Sequence, residues 1–190
     1  MRIVAATGGR QTVDGRQRVM TGRAGTLAAA AIAVMAVARA PGAAPSLIWN
    51  VTASVPTGLY RIRPVSHPVA GMLVVAWPPE PLAAVLAERR YLPRGVPLIK
   101  PVLAVAGQTV CRAGLLITVD GHGAGAARER DHHGRLLPAW QGCRVIGGGE
   151  VFLMTPGEPA SLDGRYFGPL PVSAIAGIAA PVLIAADDRP

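Results

Sequence analysis

Two side chains far apart in the sequence could together do chemistry: Ser54, in NVTASVPTGLY, and Lys100, in PLIKPVLAVAGQTV. Lys100 is the only lysine of the 19 Lys+Arg; every other one is an arginine, which keeps its proton inside a protein. It sits in the apolar, β-branched run Leu98-Ile99-Lys100-Pro101-Val102-Leu103. A lysine held among such residues is stripped of water, so its pKa falls and it can act as a neutral amine base. Around Ser54, a proline two residues on (Pro56) and a glycine four on (Gly58) fix a tight turn that holds the hydroxyl outward. Thr52, two residues before, can turn its own hydroxyl to the same point. The Ser54 amide and the Thr52 hydroxyl would then form a two-donor hole for an oxyanion. A surface lysine and an ordinary Ser-x-Pro loop are the plainer readings. The lone lysine and the serine array together argue against both.

Holding such a pair requires a folded scaffold, and the composition says which kind. Of 190 residues, 51% are hydrophobic but only 4% aromatic, so a core must come from Ala, Val, Leu and Ile. Eighteen prolines and 23 glycines favour short strands and turns over a helical bundle. GLYRIR (58–63), MLVVAW (72–77), the lysine run, EVFLM (150–154) and AIAGIAAPVLIA (174–185) read as strands. Gln108–Cys111 and LLITVDG read as a hairpin pair, with Asp120-Gly121 as turn chemistry. The period changes in PPEPLAAVLAERRYL, which predicts a short surface helix over about residues 80–91. Residues 121–142, holding glycines and His122, His132 and His133, are expected to be a loop. The fold class is therefore mainly β.

The formal charge of +8 is uneven: Arg2, Arg10, Arg16, Arg18 and Arg23 against Asp14 place about half of it before residue 24. No basic run with interleaved aromatics recurs downstream, which argues against a nucleic-acid partner. The basic segment 1–23 leads into AAAAIAVMAVA. Its uncharged stretch of about 15 residues is about 22 Å as a helix, short of the roughly 20 residues that cross a bilayer. Extending it over 24–48 supplies the length, with Arg39 snorkelling and Trp49 at the aromatic belt. The charge bias puts the N-terminus in the cytoplasm and residues 49–190 outside. This predicts one transmembrane anchor in contact with lipid, in the inner membrane of a bacterium, with the remaining domain facing the periplasm. A cleaved signal peptide, with Ala38-Arg39-Ala40 as its site, is the competing reading, and Met20 is an alternative start.

Cys111 and Cys143 are the only cysteines, and in a compartment outside the membrane they read as one disulfide. On the chain-entropy model it would constrain the unfolded chain by about 3–4 kcal/mol. A zinc site built from them with His132 and His133 matches no standard ligand spacing. A Ser-His-Asp arrangement would need His67, in a turn, or one of the three loop histidines.

NVTASVPTGLY, LIKPVLAVAGQTV, the VDG turn and PASLDGRYFGPLP together, in this order, resemble the signal peptidase family of serine–lysine proteases, and most closely its TraF-type conjugative-transfer branch. The resemblance runs over residues 50–182. It implies a signal-peptidase-like, β-rich catalytic domain behind an N-terminal helix, with no metal and no cofactor. By motif, Ser54 resembles the nucleophile, Lys100 the general base and Thr52 the side-chain oxyanion donor. Ser161 resembles the hydroxyl that orients the lysine amine, and Asp163 and Arg165 the ion pair near the site. Three departures separate the chain from general signal peptidases. Val55 stands for their usual methionine, Gly164 for the serine of Asp-Ser-Arg, and Pro156-Gly157-Glu158 for Gly-Asp-Asn.

The implied reaction is acyl transfer at a peptide bond, on a protein substrate such as a prepilin or presecretory protein at the membrane. Water would release the acyl-enzyme, or a second amine would ligate or cyclise the product. A general type I signal peptidase is the nearest alternative. A non-enzymatic, disulfide-tied envelope scaffold is the alternative from another class, and under it Ser54 and Lys100 would be replaceable without loss.

Overall fold

A computed structural model describes residues 46–185. The expected mainly-β architecture is present in them as two antiparallel sheets. The larger has the order β1 (Leu47–Asn50), β2 (Gly58–Arg63), β11 (Ile175–Ile184), β3 (Leu73–Ala76), β4 (Leu98–Ala104), β9 (Glu150–Leu153), β10 (Leu170–Pro171). The smaller has the order β7 (His122–Ala126), β6 (Leu116–Val119), β5 (Thr109–Ala113), β8 (Gly142–Val145). The helices are α1 (Glu80–Glu88) and the single turn α2 (Gly164–Phe167).

Strand sequences follow their positions. In β2, Tyr60 points inward while Arg61 and Arg63 are exposed, the alternation of a strand with one wet face. LVVA of β3 and EVFL of β9 are interior strands and bury nearly every side chain, so apart from Glu150 at the start of β9 they are apolar throughout. Val74, Val102 and Leu153 anchor one core cluster, and Val55, Tyr60, Val75 and Ile99 a second beneath the Ser54 turn. A third, with Ile117, Ile146, Phe152 and Met154, joins the small sheet to the large one.

Several elements differ from the sequence expectation. Helix α1 stops at Glu88 rather than near Tyr91. Arg90 takes a left-handed φ of 58° and Tyr91 N–H returns to the Leu86 carbonyl, closing a Schellman-type end without glycine. Asp120-Gly121 is a turn, with φ of 50° and 79°, but it joins β6 to β7; the β5–β6 hairpin turns at Gly114. The expected loop 121–142 thus begins with a strand, because pairing across that turn extends HGAGA despite its weak β propensity. It also ends on one, β8.

Leu47 and Ile48, expected to finish the anchor, belong to β1 and pair with Arg61 and Tyr60. Ser46 before them accepts from Ile62 N–H, while residues 24–45 of the predicted anchor and the basic segment before it lie outside the described residues. Among the described residues no helix is long and apolar enough to cross a membrane. Cys111 and Cys143 face each other across β5 and β8 and form the expected disulfide.

Gly58, opposite Asn50 at the neck of the Ser54 turn, has a φ of 142°, and a Cβ there would lie 2.2 Å from the Leu183 carbonyl oxygen. Backbone strain and overlap each cost about 1–3 kcal/mol. Gly58→Ala should therefore destabilise the domain by at least about 2 kcal/mol, seen as a lower melting temperature; an unchanged melting curve would show that β2 and β11 part easily.

Candidate active site

The turn that carries Ser54 connects β1 to β2 and has little backbone pairing of its own. Outside the strands and helices, one backbone bond among the described residues reaches it, from Ala185 N–H to the Thr57 carbonyl. Its shape comes instead from two side chains. The Asn50 carboxamide, 6% exposed, donates to the carbonyls of Thr52 (2.9 Å), Val55 (3.1 Å) and Pro56 (3.0 Å). Its Oδ1 accepts from the Thr52 backbone N–H at 3.1 Å and the Thr52 hydroxyl at 2.9 Å. Tyr60 adds a 2.6 Å bond from its hydroxyl to the Pro56 carbonyl. Val55 is buried in the core, and Ser54 beside it is half-buried.

Lys100 reaches this turn from β4, where it pairs across the sheet with Val74. The residue is 5% exposed, and its Nζ lies 2.5 Å from Ser54 Oγ. Burial lowers the lysine's pKa from 10.5 to about 8. Asp163 pulls it back up, Arg165 pushes it down and Glu158 raises it slightly, each less than burial. An amine whose pKa lies near 8 is partly neutral at ordinary working pH and can take a proton from the hydroxyl it touches.

Asp163 and Arg165 flank that lysine as a fully buried pair, with Arg165 Nε 2.7 Å from Asp163 Oδ1 and Nη2 3.1 Å from Oδ2. Asp163 also caps α2 through the Arg165 N–H and accepts from Thr155 N–H. The remaining guanidinium donors go to the carbonyls of Ala126 (2.8 Å) and Thr155 (2.6 Å). The small sheet completes the cradle: Arg112 of β5, itself buried, donates to the Arg165 carbonyl at 2.5 Å, and Trp140 donates to the Gly164 carbonyl at 3.0 Å. At Gly164, a Cβ would lie 2.8 Å from both the Leu153 carbonyl oxygen and the Phe152 ring. The glycine noted as a departure is thus required by close packing.

The structure therefore brings together Ser54, Thr52 and Lys100, with Thr52 Oγ1 3.4 Å from Ser54 Oγ, and sets the ion pair close enough to act on the lysine's charge. Ser161 is buried, but among the described residues its hydroxyl has no hydrogen-bond partner, so it is not bonded to the amine it was expected to orient. His67, His122, His132 and His133 are all exposed, and the side-chain partners of Ser54 are Lys100 and Thr52. Cys111 and Cys143, held in their disulfide, are not free to ligate a metal. Asn50, Arg112 and Trp140 went unrecognised in the sequence. Only Asn50 left a signal there, an asparagine two residues before a threonine, the spacing of an Asx turn.

Comparison with known proteins shows the family. The family model described as signal peptidase, peptidase S26, matches residues 21–184. A probable conjugal transfer protein TraF of Sinorhizobium fredii is 42% identical over 144 residues, covering 70% of this chain and 75% of that one. Conjugal transfer protein TraF of Agrobacterium fabrum is 39% identical over 145 residues, covering 70% and 80%. A signal peptidase I of Enterococcus faecalis, solved by crystallography, has 16% identity and a TM-score of 0.38, over 60% of this chain and 98% of that one.

Removing one partner of a buried, hydrogen-bonded ion pair leaves an uncompensated charge, which costs about 3–5 kcal/mol. Asp163→Ala should lose stability of that order in denaturant unfolding, because Arg165 is fully buried. A loss below about 1 kcal/mol would mean that water reaches the guanidinium.

Proposed function

As the chain belongs to the signal peptidase family, we propose that it is a membrane-anchored serine endopeptidase of a conjugative transfer system, with Ser54 as nucleophile and Lys100 as general base. The observation that carries the dyad is the 2.5 Å approach of a buried lysine amine to a serine hydroxyl in a turn. Neutral Lys100 takes the Ser54 proton as the oxygen attacks a peptide carbonyl, and the resulting oxyanion is held by the Ser54 amide and the Thr52 hydroxyl. The ammonium then gives its proton to the leaving amine, and the amine regenerated as that fragment departs activates water against the acyl-enzyme. A second amine in place of water would join two ends of the product.

The substrate we propose is a pilin precursor or a similar exported protein. The names of the TraF relatives support the transfer system, and family membership supports the peptide bond. An anchor within residues 24–45, ending before β1, and a periplasmic domain are part of the same proposal. They rest on the N-terminal charge and hydropathy, and the Cys111–Cys143 disulfide fits an oxidising compartment.

Lysine against arginine supplies the test. Lys100→Arg keeps the positive charge, but a guanidinium does not lose its proton at working pH. It should be as inactive as Ser54→Ala, with both variants folded. In the wild type the active form is the neutral amine. The rate should thus climb about tenfold per pH unit below the lysine's pKa of about 8 and level off above it. Appreciable cleavage by Lys100→Arg, or a rate that falls as pH rises through 8, would exclude Lys100 as the base.

A further inference from the structure

Besides the reacting groups, one side chain stands at the centre of the Ser54 turn, and it belongs to the end of β1 rather than to the turn itself. Asn50 makes five contacts there, and their chemistry fixes which way its amide faces. Its Oδ1 meets a backbone N–H and its Nδ2 meets three carbonyls, so the reverse orientation would set donor against donor and acceptor against acceptor. With Oδ1 an acceptor, the 2.9 Å contact to Thr52 Oγ1 has one polarity: the threonine hydroxyl donates to Asn50. A hydroxyl has one proton, so at rest Thr52 cannot also donate across the 3.4 Å to Ser54. Ser54 Oγ is left free of a competing donor from Thr52, and its own proton can go to Lys100.

We infer that Asn50 is a positioning residue for the reaction proposed above, holding the Thr52 hydroxyl beside Ser54 and releasing it to the oxyanion. This rests on the serine–lysine reading. As negative charge builds on the substrate oxygen, a charged acceptor outcompetes a neutral carboxamide, since hydrogen bonds to an ion are roughly twice as strong. The threonine proton swings about the Cβ–Oγ bond from Asn50 to the oxyanion. Nothing buried is orphaned, because Oδ1 keeps the Thr52 backbone N–H at 3.1 Å. No bond other than these hydrogen bonds is made or broken in the exchange. Asn50, buried at the neck of the hairpin, has no need to touch substrate, so it acts on kcat and not on KM.

The test is a double-mutant cycle in the full-length chain, read with an internally quenched peptide bearing an alanine-rich cleavage segment, on the alkaline plateau of the pH profile. Thr52→Val should lower kcat by about 10²–10³-fold, the loss expected for one oxyanion donor, with its melting temperature nearly unchanged. Asn50→Ala should lower kcat by about 10²-fold or more while KM moves by less than about threefold. The double variant should be no slower than the worse single variant within about threefold, because both changes remove the same hydroxyl's action. Full kcat in Asn50→Ala, or a double variant whose loss is the product of the two, would each overturn the inference. Should Asn50→Ala fail to fold, Thr52→Val still decides. A large fall in its melting temperature would make the hydroxyl a fixed strut rather than an exchangeable donor. A wild-type chain that cleaves no peptide defeats the peptidase reading and this inference together, whereas an active wild type with an indifferent Asn50 defeats the inference alone.

Discussion

An amine that must lose its charge to work has to be kept from water and from unbalanced anions at once. On the serine–lysine reading proposed for this chain, that constraint organises the domain. Lys100 lies on an interior strand of the larger sheet and is almost fully buried, which lowers its pKa from 10.5 to about 8. At about 1.4 kcal/mol per pH unit, this is a penalty of about 3 kcal/mol on the cation. A carboxylate alone beside it would undo the effect by stabilising the ammonium. Here the nearby carboxylate, Asp163, is locked to Arg165, and the two act on the lysine with opposite signs. The arginine thereby offsets part of what the carboxylate alone would do.

The rest of the fold serves that arrangement from two sides. The larger sheet carries the two side chains in contact, Lys100 from β4 and Ser54 from the β1–β2 turn. The smaller sheet supplies neither of them. It contributes Arg112, which with Trp140 holds the backbone carbonyls of Arg165 and Gly164, and the Ala126 carbonyl, which accepts from the Arg165 guanidinium. The ion pair is thus fixed by hydrogen bonds as well as by charge. The smaller sheet thereby holds the pair that acts on the lysine's charge without approaching the serine.

What could be read from the chain beforehand follows from where local preference and tertiary context agree. GLYRIR alternates, and MLVVAW and the VFLM of EVFLM are continuously apolar, so their strands were legible. HGAGA and GCRV carry no such signal; they are strands because β6 and β5 offer partners already in place. Ser54 and Lys100 stood out by residue type, one by its turn and one by its rarity. Asn50 did not, because an asparagine among turn-forming residues looks like any other, and its value lies in five contacts that only the closed turn creates. Ser161 shows the reverse case: the motif marks the residue, and the structure leaves its hydroxyl buried and unbonded.

The rarity of lysine has a practical side. With every other basic side chain a guanidinium, isotopic labelling of lysine alone would place one side-chain amine signal in the whole molecule, at the atom that touches Ser54. Its chemical shift against pH would report the protonation of that amine directly, with no assignment to make among competing resonances. In this chain the residue composition alone provides an isolated spectroscopic probe of the Lys100–Ser54 contact.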